Sequence, residues 1–142
     1  MSDALLLDTH IALWLDSGSE RLEASTRALI DDCRRDSGTI FLSAVTAWEI
    51  ALLVDTERIT LDVPVESWID RFVARPGIKS VPLVHRTACR AYQLHRLEHR
   101  DPADRLLIAT AIELRCPLVT YDQRILQFSS RHGSQYQFAA FR

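Results

Sequence analysis

The 142-residue chain is almost without lysine: Lys79 is the only one among its 17 Lys and Arg residues. Its cations are therefore arginines, whose planar fork suits bidentate contact with phosphate, although their number alone says little. Cysteine is sparse too. Cys33, Cys89 and Cys116 lie far apart, which excludes a disulfide framework and a C-x-x-C metal clip and predicts three partly buried thiols. No apolar run approaches the roughly 18–20 residues that span a bilayer, so no membrane association is expected. The start has no basic stretch followed by a long apolar segment, so a secretory signal is not expected and the cytoplasm is the default compartment. Net charge is −2, which excludes a general positive field as the means of attracting nucleic acid. Repeats, low-complexity tracts and Pro/Gly-rich linkers are also missing.

The residues present are those of a soluble globular chain: 47% hydrophobic and 25% charged. The length accommodates one core, and residues 1–142 read as a single domain. Short apolar strands alternate with amphipathic helices. Strands are predicted at 4–7, 39–42, 78–82 and 118–120, with a last one at 136–139. Helices are predicted at 9–16, 22–35, 44–53, 65–74, 86–97 and 102–115, with a short helical turn at 125–128. Ser43 and Asp101 stand at N-cap positions, and Pro102 sits just inside a helix start. This alternation predicts an α/β fold: a short parallel sheet of four to five strands with helices on both faces. Ligands in such folds sit beyond the carboxyl ends of the strands, where strand order switches direction.

Four acids fall at that edge. Asp8 follows the first strand and Asp122 the fourth. Glu49 lies in the second turn of the helix after the second strand, and Asp104 in the first turn of the helix before the fourth. Crossover helices run antiparallel to their strands, so these helix starts lie at the same edge. Each acid has an ordinary alternative. Asp8 and Asp122 are also loop-favouring residues, and Asp104 fits the third position of a capping box begun at Asp101. Glu49 interrupts the apolar helix AVTAWEIALL and is costly if buried without a partner, unless it faces solvent. The convergence of all four is the stronger signal. Close carboxylates need a compensating cation, and hard oxygen ligands without a nearby Cys or His set favour Mg²⁺ or Mn²⁺. Such an ion, alone or paired, activates water and steadies the leaving oxygen in phosphodiester cleavage.

These segments carry a resemblance. LLLDTH with Asp8, SAVTAWEI with Glu49, HRDPADRLLIATA with Asp104 and LVTYD with Asp122 occur in order across most of the chain. The chain resembles the PIN-domain ribonucleases, in the branch of VapC-type toxins from toxin–antitoxin pairs. The resemblance implies a parallel α/β sheet, an acidic Mg²⁺ or Mn²⁺ site, endoribonuclease activity on RNA, a homodimer and a cognate antitoxin. Carried over by position, Asp8, Glu49, Asp104 and Asp122 are the catalytic metal-site acids. Thr9, Ser43 and Thr120 match accompanying hydroxyl positions, with orienting or water-positioning roles. Asp101 falls in the same motif and reads as the cap of the helix begun by Pro102. Arg105 is a candidate phosphate contact, with a structural ion pair as its alternative. Ala103 departs from the pattern, which often has an aromatic there.

Other signals point elsewhere. His95 to His99 spells H-x-x-E-H, a zinc-peptidase pattern, but Asp101-Pro102 ends that segment before a helix face is complete. LLLDTH could open a haloacid-dehalogenase-like phosphatase or a phosphoacceptor domain. The first wants a second Asp where His10 stands, and both want a well-placed lysine. A catalytically inactive PIN-like RNA-binding or protein-interaction module is the alternative of a different class; its signature would be loss of one or more acids. Finally, the segments holding Trp48, Ile50, Leu53, Trp68, Ile69 and Phe72 contain both core residues and candidates for a groove beside Glu49. Such a groove would take an antitoxin helix by its apolar face.

Overall fold

Three leucines set the layering. In β1 (Ala4–Leu7), Leu5 and Leu7 face one apolar cluster and Leu6 the opposite one, as the two-residue period of a strand requires. A strand buried on both faces reads as a continuous apolar run, which is what residues 4–7 show. The computed structural model describes residues 3–142. Its five strands, β1, β2 (Thr39–Ser43), β3 (Ile78–Val81), β4 (Leu118–Val119) and β5 (Ala140–Phe141), are all parallel in the order β3-β2-β1-β4-β5.

Seven helices complete the α/β domain: α1 (Thr9–Ser17), α2 (Ala24–Arg35), α3 (Ala44–Asp55), α4 (Val65–Val73), α5 (His85–Arg90), α6 (Pro102–Leu114) and α7 (Gln123–Tyr136). Ile11, Ile30, Ile50, Trp68 and Phe72 bring α1 to α4 onto one sheet face with Leu5 and Leu7. Leu107, Ile108, Ile125 and Phe128 bring α6 and α7 onto the other with Leu6 and Leu118. Asp16 ties α4 to α1. It accepts the Trp68 indole N–H at 2.9 Å and pairs with Arg75.

The chain winds outward from β1 through β2 to β3, then returns to place β4 on the other side of β1. The strand order therefore switches between β1 and β4, and a crevice opens beyond their carboxyl ends. There the Asp8 amide donates to the Val119 carbonyl at 3.0 Å, which fixes the residue just after β1 against the end of β4.

Three expected elements differ. The helix read over 86–97 stops at Arg90, and residues 91–100 run through turns. Ala91, Leu94 and Leu97 are still buried at helical spacing, but the guanidinium of Arg105 captures carbonyls of this segment and unwinds it. The short turn read at 125–128 is the first part of α7, which runs to Tyr136. Its serines and Gly133 depress helix propensity, yet Ile125 and Phe128 bury one face, and a Cβ at Gly133 would come within 2.5 Å of the Phe138 carbonyl oxygen. The last strand consequently falls at 140–141 rather than 136–139. Of the thiols, Cys33 and Cys116 are buried but Cys89, on α5, is exposed, contrary to the expectation for all three. Among the described residues, no helix is long and apolar enough to cross a membrane.

Candidate active site

Asp8, Asp101, Asp104 and Asp122 sit at helix starts or strand ends, and Glu49 lies farther along α3. Asp8 caps α1 and accepts the Thr9 amide at 2.7 Å. Its other oxygen accepts the Thr120 hydroxyl at 2.6 Å. Thr120 in turn accepts the Asp122 amide at 3.1 Å, so one hydroxyl joins the two strand-end acids. Asp122 caps α7 through the amides of Arg124 and Ile125, at 2.8 and 3.3 Å. Asp101 caps α6, accepting the Asp104 amide at 3.2 Å, and thereby holds the first turn that carries Asp104. Ser43 caps α3 through the Val45 amide at 3.0 Å, and Glu49 follows on that helix.

Asp8, Glu49, Asp101, Asp104 and Asp122 line one cleft of about 500 Å³. Asp8 and Asp104 are buried and Glu49 is half-buried. Their electrostatics record the crowding. Burial pushes Asp8 above the usual carboxylate range, against the opposing pull of Thr120 and the Thr9 amide, while Asp122 adds to the rise. Burial likewise raises Glu49; Thr9 opposes this, and Asp8 and Asp101 reinforce it. Asp104 is pushed up to about 6 by burial and by Asp8, Asp101 and Asp122, although His99 favours its ionised form. Asp122 goes the other way. Its partial burial is outweighed by the Arg124 guanidinium and the two α7 amides, which hold it low.

This is a donor set that fits a hard divalent cation: several carboxylate oxygens, three of them carrying a charge penalty that a cation would relieve. The set is not purely oxygen, however. His99 Nε2 lies 2.5 Å from Asp104 Oδ2, and His99, Asp101 and Asp104 offer atoms within 4.8 Å of one another. His10 also lines the cleft. The expectation of a site without nearby histidine is thus corrected. The reason is the unwound 91–100 segment, which lays His99 against α6.

The family model of the PIN domain matches residues 5–130. The chain belongs to the PIN-domain family. It is 34% identical over 128 residues to "Ribonuclease VapC22" of Mycobacterium tuberculosis, an alignment spanning 90% of this chain and 92% of that relative. The same fold occurs in VapBC2 from Rickettsia felis bound to a DNA fragment from its promoter, with TM-score 0.64, 17% identity and coverage of 89% and 92% of the two chains. It occurs again in FitAcB from Neisseria gonorrhoeae, with TM-score 0.62, 19% identity and coverage of 97% and 96%.

Within this PIN domain the remaining expected residues take distinct places. Thr120 bridges two acids. Thr9 is buried, exchanges a 3.1 Å hydrogen bond with Thr46 and favours ionised Glu49. Ser43 acts as the α3 cap and is not among the cleft-lining residues. Arg105 is corrected: it is buried, makes no ion pair among the described residues and does not line the cleft. Its guanidinium donates to the carbonyls of His99, Ala91 and Leu97 at 3.0, 3.0 and 2.6 Å. The H-x-x-E-H segment is not helical, and His95 is exposed while His99 meets Asp104. Of the groove candidates, Ile50, Trp68 and Phe72 are core, Leu53 lines the cleft, and Trp48 stays 55% exposed. Sequence reasoning missed His99 and Arg124 as site neighbours. Their signal was proximity to Asp104 and Asp122, which the H-x-x-E-H pattern obscured for His99.

Proposed function

We propose that this PIN domain is a divalent-metal-dependent endoribonuclease and the toxin of a toxin–antitoxin pair. The observation that carries the reading is the gathering of Asp8, Glu49, Asp104 and Asp122 along one cleft, three of them with raised pKa. Likeness to a protein named a ribonuclease supports the chemistry. A non-catalytic module would gain nothing from so costly a concentration of carboxylates.

Asp8, Glu49, Asp104 and Asp122 would hold Mg²⁺, with Mn²⁺ able to substitute. When bound, such an ion supplies Lewis-acid polarisation of the phosphate and lowers the pKa of attacking water. The chain's own residues do the positioning. Thr120 and the Thr9 amide fix both oxygens of Asp8. Two α7 amides fix Asp122. His99 and Asp101 fix Asp104. Carboxylates anchored this way do not reorganise when substrate arrives.

The toxin reading also implies cytoplasmic action, a homodimer and an antitoxin partner. VapBC2, FitAcB and a toxin–antitoxin complex from Klebsiella pneumoniae share the fold, which agrees with that reading. Trp48 and Leu52 are exposed on the same helix as Glu49, and Leu53 lines the cleft beside them; these are apolar groups available to a partner helix. Incubating purified protein with mixed RNA tests the activity. Cleavage is expected with Mg²⁺ or Mn²⁺ and none in EDTA; undiminished cleavage in EDTA, with trace metal excluded, would refute it.

A further inference from the structure

We propose that a second, basic pocket beside the acid cleft binds the phosphodiester backbone of single-stranded RNA flanking the bond to be cut. This rests on the ribonuclease reading and names where that substrate is held. The pocket encloses about 410 Å³ between residues 96–100 and α7. Arg96, Arg100, Arg124 and Arg131 line it, against one carboxylate, Glu98. Arg96, Arg100 and Arg131 make no ion pair among the described residues. Unpaired cations around one concavity focus a local positive potential even in a chain of net charge −2.

Two residues make the pocket continuous with the acids. Arg124 lines both concavities and meets Asp122 at 3.2 Å. His99 lines the basic pocket and meets Asp104 at 2.5 Å. A strand with its scissile phosphate at the acids therefore runs directly into the arginines. A ligand carrying one small anion would use one guanidinium; several along a trough match a polymer with a charge at each repeat. His132, half-buried and 6.0 Å from Phe128 by ring centroid, adds a ring face on which a base can stack. The acids repel phosphate until a cation arrives; Arg21 and Arg58 line the acid cleft itself, and the arginines of the second pocket carry that positive lining on along the flanking backbone.

Neutralising three phosphates gives single-strand binding a log–log salt slope of about −2. The test compares the chain with its triple variant Arg96→Gln, Arg100→Gln, Arg131→Gln, all exposed positions. Both carry Asp8→Asn so that a short fluorescein-labelled RNA of mixed sequence stays intact during anisotropy titration across salt. The triple variant should keep its melting temperature, lose about tenfold or more in affinity at low salt, and lose about 2 from the slope. Without Asp8→Asn, it should raise KM for RNA and leave kcat near its starting value. Unchanged affinity and slope alongside intact RNA cleavage would overturn this pocket assignment alone. So would loss of polyglutamate binding with RNA binding retained, which would assign the arginines to an acidic protein partner. Absence of RNA cleavage by the unmodified chain under any metal would instead overturn the ribonuclease reading.

Discussion

Replacing Arg105 with Met should cost stability rather than chemistry, by an amount the structure sets. The guanidinium makes three charge-assisted bonds, to the carbonyls of His99, Ala91 and Leu97, each worth about 1.5–3 kcal/mol. Two effects reduce the sum. Burial disfavours the cation and lowers its pKa, a penalty that Met removes. The freed carbonyls can also turn to water where the 91–100 segment is exposed. A net loss of about 3 kcal/mol remains, equal to one or two of these bonds. For a chain of this size that lowers Tm by about 6–12 °C. Arg105→Lys should fall between, because one ammonium cannot span three carbonyls. Thermal denaturation gives the magnitude, and hydrogen exchange should show lost protection concentrated in residues 91–100. A Tm within about 2 °C of the parent, or loss of protection spread evenly, would refute the clamp.

Asp101→Ala should lower stability by about 0.5–2 kcal/mol through loss of the α6 cap, whereas Asp104→Asn should abolish cleavage with little change in melting; thermal melts and RNA cleavage would show the reverse pattern if the roles are exchanged. Asp104 binds its proton more tightly folded, at about 6, than at its ordinary 3.8. The native state therefore holds the extra proton between those values, and metal-free stability should fall as pH rises from about 4 to 6 and then level off. Denaturant titrations across that range should show the slope, flattened in Asp104→Asn; stability rising with pH there in the parent but not in the variant would contradict the shift. Gly133→Ala puts a Cβ 2.5 Å from the Phe138 oxygen, and the forced shift should cost about 1–3 kcal/mol; an unchanged melting curve would show that the turn into β5 yields freely.

Three of the four candidate acids were legible because they are tied to local punctuation, and Glu49 because it is a lone charge in an apolar helix. Asp8 ends an apolar run, Asp122 ends another, and Asp104 follows the D-P start of α6. Once strands and helices alternate, parallel topology brings those ends to one edge. What stayed hidden depends on contacts across the fold. Nothing local to 91–100 announces that an arginine from α6 will take its carbonyls, since Ala91, Leu94 and Leu97 keep helical spacing. The length of α7 was masked by Ser129, Ser130 and Gly133, whose weak propensity is overridden by burial of Ile125 and Phe128. The basic pocket joins Arg96 and Arg100 to Arg131 from separate segments, and a net charge of −2 averages it away.

Asp8 is the centre of the acid site, its two oxygens fixed by Thr9 and Thr120 at the strand-order switch. Asp8→Asn keeps the shape and removes the charge. Mn²⁺ titration and RNA cleavage should be measured on the parent and on this variant, with folding confirmed by melting. Both Mn²⁺ affinity and cleavage should fall together, cleavage by more than the roughly 10–100-fold expected of a merely supporting partner. A folded Asp8→Asn protein that binds Mn²⁺ and cuts RNA as the parent does would contradict the acid-site account.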